Sequence, residues 1–187
     1  MPLNERARKL IGRHSGELWI VGSGRCVWED TGSIPENAQV MTLNDMVTFF
    51  PGRIKHAYSN ADWLLWFWVQ GRRENYVREY GNDFDLHTNK VSRHKNVIEW
   101  PFPGMGSSAL PACYVGLALG YDSIILAGVP LDDTGHFFDP PEGHSLSKGK
   151  RWSNFTNEAQ EYIWKNARLG GKVKSLSGRS REWLGSP

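Results

Sequence analysis

At 187 residues the chain is long enough for one domain with a sizeable core, and its net charge of +2 says little by itself. Cys26 and Cys113 are the sole cysteines, which excludes a disulfide framework and a cysteine-based zinc site and suits a reducing cytosol. Residues 2–12 are polar and basic without an apolar signal core, and no run reaches the length of a membrane span, so neither secretion nor insertion is expected and a cytoplasmic location is read.

Residues 4–11 read as a short lead-in helix. Glu17–Val21 reads as the first strand and runs straight into Gly22-Ser23-Gly24-Arg25. A strand ending in Gly-x-Gly lets backbone N–H groups come close to a phosphate. The third glycine of the dinucleotide fingerprint is missing, so this is not a NAD site. Residues 38–43 are a second strand candidate, ending at Asn44-Asp45. The Asn44 amide stands at the same sheet edge as Gly22 and suits a base or ribose, with capping of a helix over 45–50 as an equal alternative. Residues 54–58 form a third short strand ending in Ser59-Asn60. Residues 62–80 are helix-like, and their crowded apolar run from Trp63 to Val69 is either buried or partly an interaction surface. Residues 81–95 are polar and read as an excursion, with His87 and His94 as surface residues rather than metal ligands. Residues 96–100 are a fourth strand.

The stretch from Trp100 to Asp139 organises the rest. A Gly/Ser loop, Gly104 to Ser108, opens a small-residue helix over Ala109–Leu119, with Ser107 or Ser108 as N-cap and Pro111 in the first turn. Gly120 ends it. Ser123–Ala127 is a buried strand, and residues 128–133 are the loop at its carboxyl end. A long irregular connection follows, containing His136 and His144, and residues 134–150 are read as a mobile loop. Residues 154–169 form a helix, 172–176 a last strand and 180–184 a short helix. From Lys148 onward there are nine Lys/Arg against three Glu, so this segment carries +6 and the remainder −4. Such a segment could meet nucleic acid, or be a solvated helix face. Nine Trp is a high count, and some are candidates for stacking on a planar ligand or a base.

Alternating strands and helices predict a single α/β domain over 1–187, Rossmann-like, with a mostly parallel sheet of about six strands and helices on both faces. In such a sheet the loops after the strands share one edge, where ligands bind. The nucleotide-binding candidates are therefore Gly22, Ser23, Gly24, Arg25, Asn44, Asp45, Ser59, Gly106, Ser107 and Ser108. His136 and His144 are the general-base candidates, because imidazole titrates near neutral pH. Asp132 and Asp133 could orient a histidine, bind a ribose or hold a divalent ion such as magnesium through oxygen. The pair alone does not assert a resident metal.

Three motifs carry a resemblance. Ile-Val-Gly-Ser-Gly ends at Gly24, Ser107-Ser108 precede Tyr-Val-Gly-Leu-Ala-Leu-Gly-Tyr-Asp-Ser-Ile-Ile-Leu-Ala-Gly-Val over 114–129, and Gly-His-Ser surrounds His144. Together they resemble the small bacterial sialyltransferases that act on lipooligosaccharide, and the related hydroxymethylpterin diphosphokinase-like families. Leu-Asn-Asp, the Pro-Gly-Arg of 51–53, Gly-Val-Pro-Leu-Asp-Asp and the terminal Gly-Arg-x-Arg-Glu are similar to bacteriophage proteins. The sialyltransferase resemblance implies a Rossmann-like domain that binds a cytidine nucleotide sugar. It implies that Gly22, Ser23 and Gly24 meet phosphate and ribose, that Asn44 matches the amide after the second strand, that Ser107 and Ser108 match a Thr-Ser pair, and that His144 is the base. Where the family has Asn between the two glycines, this chain has Ser23.

The reading is a transferase with a nucleotide-activated donor, most simply a glycosyltransferase with His144 as general base. The alternatives are an accessory protein that binds a nucleotide without turnover, and a magnesium-dependent nucleotidyl or diphosphoryl transferase. A nucleotide or nucleotide sugar is the expected partner. Nucleic acid at the basic C-terminal segment, self-association and, for a phage protein, a host-cytoplasmic setting are left open.

Overall fold

The structure is a computed structural model that describes residues 3–81, 83–104, 107–139 and 157–187. Its elements in chain order are α1 (Glu5–Leu10), β1 (Glu17–Val21), α2 (Val27–Thr31), β2 (Gln39–Leu43), α3 (Met46–Phe49), β3 (His56–Tyr58), α4 (Asp62–Asn75), α5 (Val77–Tyr80), β4 (Asp85–Thr88), β5 (Val97–Glu99), α6 (Ala109–Leu119), β6 (Ser123–Ala127), α7 (Asn157–Asn166), β7 (Val173–Ser175) and α8 (Gly178–Leu184). All seven strands join one parallel sheet in the order β5-β4-β3-β2-β1-β6-β7. The chain winds outward from β1 to β5, then returns to the far side of β1 with β6. The switch point lies between β1 and β6, where open α/β sheets place ligands.

Seven strands stand where about six were expected. The extra strand is β4, inside the polar stretch read as an excursion. It was hidden because its buried positions are His87 and Thr88, both 0% exposed, rather than aliphatic residues. His87 is therefore a core residue and not a surface one, whereas His94 is exposed. The stretch 62–80 breaks into α4 and α5 at Tyr76, and a short helix α2 follows Cys26 where none was expected.

Alternation along the strands sorts the core. Leu18 and Ile20 of β1, with Ile124 and Leu126 of β6, face α1, α6 and Trp164 of α7. Trp19 and Val21, with Ile125 and Ala127, face α2 and α3. Leu65 and Val69 of α4 pack on Ala57 and Val97. Helix α6 is rich in small residues because it lies close to the sheet: a Cβ on Gly116 would meet Leu18 Cδ2 at 2.8 Å and Ile124 Cδ1 at 3.0 Å. Gly120 ends the helix at φ 109°, a conformation that favours glycine. Among the described residues no helix is long and apolar enough to cross a membrane.

Candidate functional site

A cavity of about 430 Å³ opens at the carboxyl ends of the central strands. Gly22, Ser23 and Gly24 come from the turn after β1, Leu43 and Asn44 from the end of β2, and Asn60 from beyond β3. Ser107, Ser108 and Ala109 bring the start of α6, so its amino-terminal dipole faces the same space. The loop after β6 supplies Pro130, Leu131 and Asp132, and the next turn supplies His136. Residues 22 and 107, far apart in sequence, thus share one hollow of a size suited to a small ligand.

The turn after β1 works differently from the simple glycine-loop expectation. Gly22 N–H donates to Ala127 O at 2.9 Å and Gly24 N–H to Gly128 O at 2.8 Å. Those two amides tie the turn to β6, and Ser23 N–H bonds no described residue. The glycines are required by packing: a Cβ on Gly22 would meet Val129 Cγ2 at 2.7 Å, and one on Gly24 would meet the Gly128 carbonyl at 2.8 Å.

Asn44 is the best-defined polar group. Its Oδ1 accepts from Ser59 Oγ at 2.8 Å and from Ser108 Oγ at 3.1 Å. With the oxygen so engaged, the amide NH₂ is the end left to donate into the cavity. Ser108 therefore binds Asn44 and makes no side-chain cap on α6, and Asn44 itself makes none on α3. Ser59 is fully buried beneath Asn44 and does not line the cavity, whereas its neighbour Asn60 does. Tyr58 donates its hydroxyl to Asn60 Oδ1 at 2.8 Å, which turns that amide group the same way. Only alternation in the finished strand distinguishes 59 from 60. The Ser107 hydroxyl is buried at the cavity with no partner among the described residues.

Among the described residues two non-glycine residues have positive φ, Asn44 at 51° and Leu131 at 54°, and both line the cavity. Asparagine tolerates that conformation; leucine does so at a cost of about 1–2 kcal/mol. Backbone strain held at a cavity wall is a recurrent mark of a functional site.

The turn after Asp133 is wired to carry His136. Gly24 and His136 form an antiparallel bridge, and Phe137 N–H donates to Ser23 O at 3.0 Å. Asp139, nearly buried, accepts from His136 N–H at 2.8 Å and lies 3.4 Å from His136 Nδ1. Phe138 stacks on the imidazole, 5.1 Å between centres and 5° between planes. Arg25 does not line the cavity. It holds this turn from outside, donating to Thr134 O at 2.8 Å and Asp139 O at 3.3 Å. Asp45 also stands outside the cavity wall. Burial holds its carboxyl above the ordinary carboxylate range, against a hydrogen bond from Ser23 and the nearby His136.

The adjacent aspartates diverge. Asp132 lines the cavity, and its Oδ1 accepts from Thr134 N–H at 3.0 Å and from the Thr134 hydroxyl at 2.5 Å. Asp133 does not line it and pairs with Arg179 at 3.7 Å. The pair does not close on a shared point as two ligands of one ion would. His144, Gly106 and most of the loop 134–150 lie outside the described residues.

A second cluster sits at the opposite, amino edge of the sheet. His56, Asp85 and His87 each bring one ligand atom within 4.8 Å of the others. The hydrogen bonds argue against a metal there. Trp100 Nε1–H donates to His87 Nδ1 at 3.0 Å, so the His87 proton resides on Nε2, 3.1 Å from His56 Nδ1. His56 in turn donates through Nε2 to the Tyr121 oxygen at 3.0 Å, and Tyr121 donates to Gln39 Oε1 at 2.7 Å. Ligation by His87 Nε2 would move its proton to Nδ1 and set two donors against each other at Trp100. Burial keeps both imidazoles neutral, depressing His56 well below its ordinary value and His87 to about 3.

An open parallel sheet wound in both directions from β1, with a cavity at its switch point, defines an α/β fold of the Rossmann-like type. Solved structures with this fold include the sialyltransferase CstII of Campylobacter jejuni. The complex with cytidine-5'-monophosphate has TM-score 0.58 at 16% identity over 91% of this chain and 84% of that one. The complex with CMP-3FNeuAc has TM-score 0.55 at 14% identity over 92% and 88%. An apo α-2,3-sialyltransferase of the same organism has TM-score 0.54 at 14% identity over 91% and 79%. No family model matches the sequence, and no curated protein matches it significantly.

Proposed function

We propose that the chain is a transferase that uses a nucleotide-activated donor, and that it transfers a glycosyl group. The observation that carries this is the cavity at the β1/β6 switch point, walled by the only two strained non-glycine residues described, Asn44 and Leu131. The site offers what a nucleotide needs: an α6 amino terminus for phosphate, two amide NH₂ groups at Asn44 and Asn60, and the hydroxyl of Ser107. That two of the solved structures sharing this fold hold CMP or a CMP-sugar analogue supports a cytidine nucleotide sugar as the first donor to try.

In this reading a histidine takes the proton of the acceptor hydroxyl as the bond to the donor breaks. His144 is the proposed base, on the strength of its Gly-His-Ser setting, with His136 as the imidazole that already stands at the cavity. Gly135 and His136 line the cavity and stand only a few positions before His144 in the chain.

The test is a thermal-shift panel of cytidine, uridine, guanosine and adenosine nucleotides and their sugars, with and without magnesium. A ligand at about a hundredfold above its Kd adds roughly 2.7 kcal/mol, or about 5 to 11 °C in a chain of this size. Product is then sought with the nucleotide sugar that binds. His144→Ala should lose about 10²- to 10⁴-fold in turnover while keeping the thermal shift. A shift without product over long incubation would instead assign a binding role.

A further inference from the structure

A second cleft, of about 540 Å³, lies on the amino side of β4 and β5, across the sheet from the cavity. Arg6, Arg73, Arg93 and Lys95 line it, facing Asp83 and Asp85. All four cations are exposed, and among the described residues none is ion-paired. Arg6 donates to the Lys95 carbonyl at 2.8 Å, and the Arg73 guanidinium lies 5.5 Å from the Trp66 ring centre. In the described part of the basic C-terminal segment, Lys165 pairs with Glu161, Arg179 with Asp133, and Lys174 bonds the Leu184 carbonyl.

The cleft adjoins an aromatic stripe. Trp63, Trp66 and Phe67 stand at i, i+3 and i+4 on α4 and are 70%, 45% and 71% exposed. Leu65 and Val69 already anchor the helix to the sheet, so the Trp63 and Phe67 rings are not needed for packing, whereas Trp66 lies against Arg73 and His94. Trp66 runs nearly parallel to the His94 ring, at 15° with 6.1 Å between centres. Large rings in water beside a cleft whose four cations outnumber its two carboxylates call for a partner with both flat apolar faces and regular negative charge.

We propose that this cleft and stripe bind a single-stranded nucleic acid, its phosphates along the four cations and its bases on the exposed rings. Every base has a π-face, so stacking platforms beside a cationic groove take single strands with little sequence preference. A duplex keeps its bases stacked inside and cannot use the rings. An anionic bilayer is flat and would meet the protruding rings while leaving the cations of the cleft unmatched.

Fluorescence anisotropy of a labelled oligo(dT) strand, titrated with the full chain, tests this. Each phosphate neutralised on a single strand contributes about 0.7 to the salt slope, so four give about 3, a loss near 50-fold between about 50 and 200 mM salt. Trp63→Ala should weaken binding by about 5- to 150-fold. Arg73→Gln should lower the slope by about 0.7. Both side chains are exposed, so melting temperatures should not change, nor should the thermal shift produced by a nucleotide in the cavity. The proposal therefore fails or stands separately from the transferase reading. It is overturned by no binding at about 50 mM salt, by equal affinity of the wild type and both variants, or by a duplex binding as tightly as the strand. Sedimentation with phosphatidylserine vesicles without oligonucleotide binding would reassign the surface to a membrane. Trp63-dependent self-association without oligonucleotide binding would reassign it to a second copy of the chain.

Discussion

Asn44 joins three parts of the molecule through one oxygen. It fixes Ser59 after β3 and Ser108 at the start of α6, and it does so from a left-handed backbone conformation. Asn44→Ala removes the one acceptor of both hydrogen bonds and puts alanine at positive φ, so it should cost about 2–3 kcal/mol in urea unfolding and weaken nucleotide binding as well. A full thermal shift with cytidine nucleotides in the variant would remove Asn44 from the site. At the other sheet edge, His56 and His87 are neutral in the folded state, while the unfolded chain protonates them near pH 6.5. For His87 this means that stability is complete above about pH 6.5 and is lost as pH falls from there toward about 3, and the depressed His56 acts in the same direction. By pH 5 the loss should be about 2 kcal/mol for His87, with His56 adding to it in the same direction, read as a falling urea midpoint. A His87→Gln variant should show a shallower pH dependence; the same dependence in the variant would refute the neutral chain. Neither network was legible in the sequence, because each joins residues from at least three separate strands or loops.

At the scale of elements, the apolar α6 and the polar α1, α7 and α8 are all legible in the sequence, whereas the short α2 is not. Helix α6 and strand β6 were read with the bounds they have, since small residues, a glycine stop and a β-branched run are local signals. Gly116 shows why the small residues are there, and Gly116→Leu should overpack the α6–sheet contact by about 1–3 kcal/mol. Strand β4 escaped because its buried side chains are polar, with His87 satisfied by His56 of β3 and by Trp100 just after β5. The end of α3 depends on Arg72, which is fully buried on α4. Its guanidinium donates to Phe50 O at 2.9 Å, Val47 O at 3.4 Å and Gly52 O at 2.5 Å. Burial pulls it down to about 10, so it stays charged at neutral pH and suits the negative end of a helix. Arg72→Met should leave those carbonyls unpaired and lower stability by about 3 kcal/mol, or roughly 6–12 °C in melting temperature. An unchanged melting temperature would show that water can replace the guanidinium.

At the scale of the whole molecule, the C-terminal helix braces the cavity floor. Ser180 donates its hydroxyl to Val129 O at 2.5 Å and its amide to Pro130 O at 3.2 Å. Ser177 bonds Asp30, whose other oxygen accepts from Gly128 N–H at 2.8 Å. Removing residues 178–187 should therefore abolish nucleotide binding even where circular dichroism still shows a folded sheet. Full binding by the truncated chain would separate α8 from the site.

By itself the sequence determined the alternation of strand and helix, and with it a parallel α/β sheet with Gly22 and Asn44 at strand ends and Ser107 just before a helix. Those signals are short-range: a period of two, a period of 3.6, glycine and proline at the breaks. Only the tertiary structure decided that Asn60 rather than Ser59 meets the cavity, that the Gly22 and Gly24 amides are already taken by β6, and that His136 and Asp132 stand at the site while Asp133 turns away. Those outcomes depend on which strands become neighbours and in what register, and pairing is settled by contacts between residues dozens or a hundred positions apart.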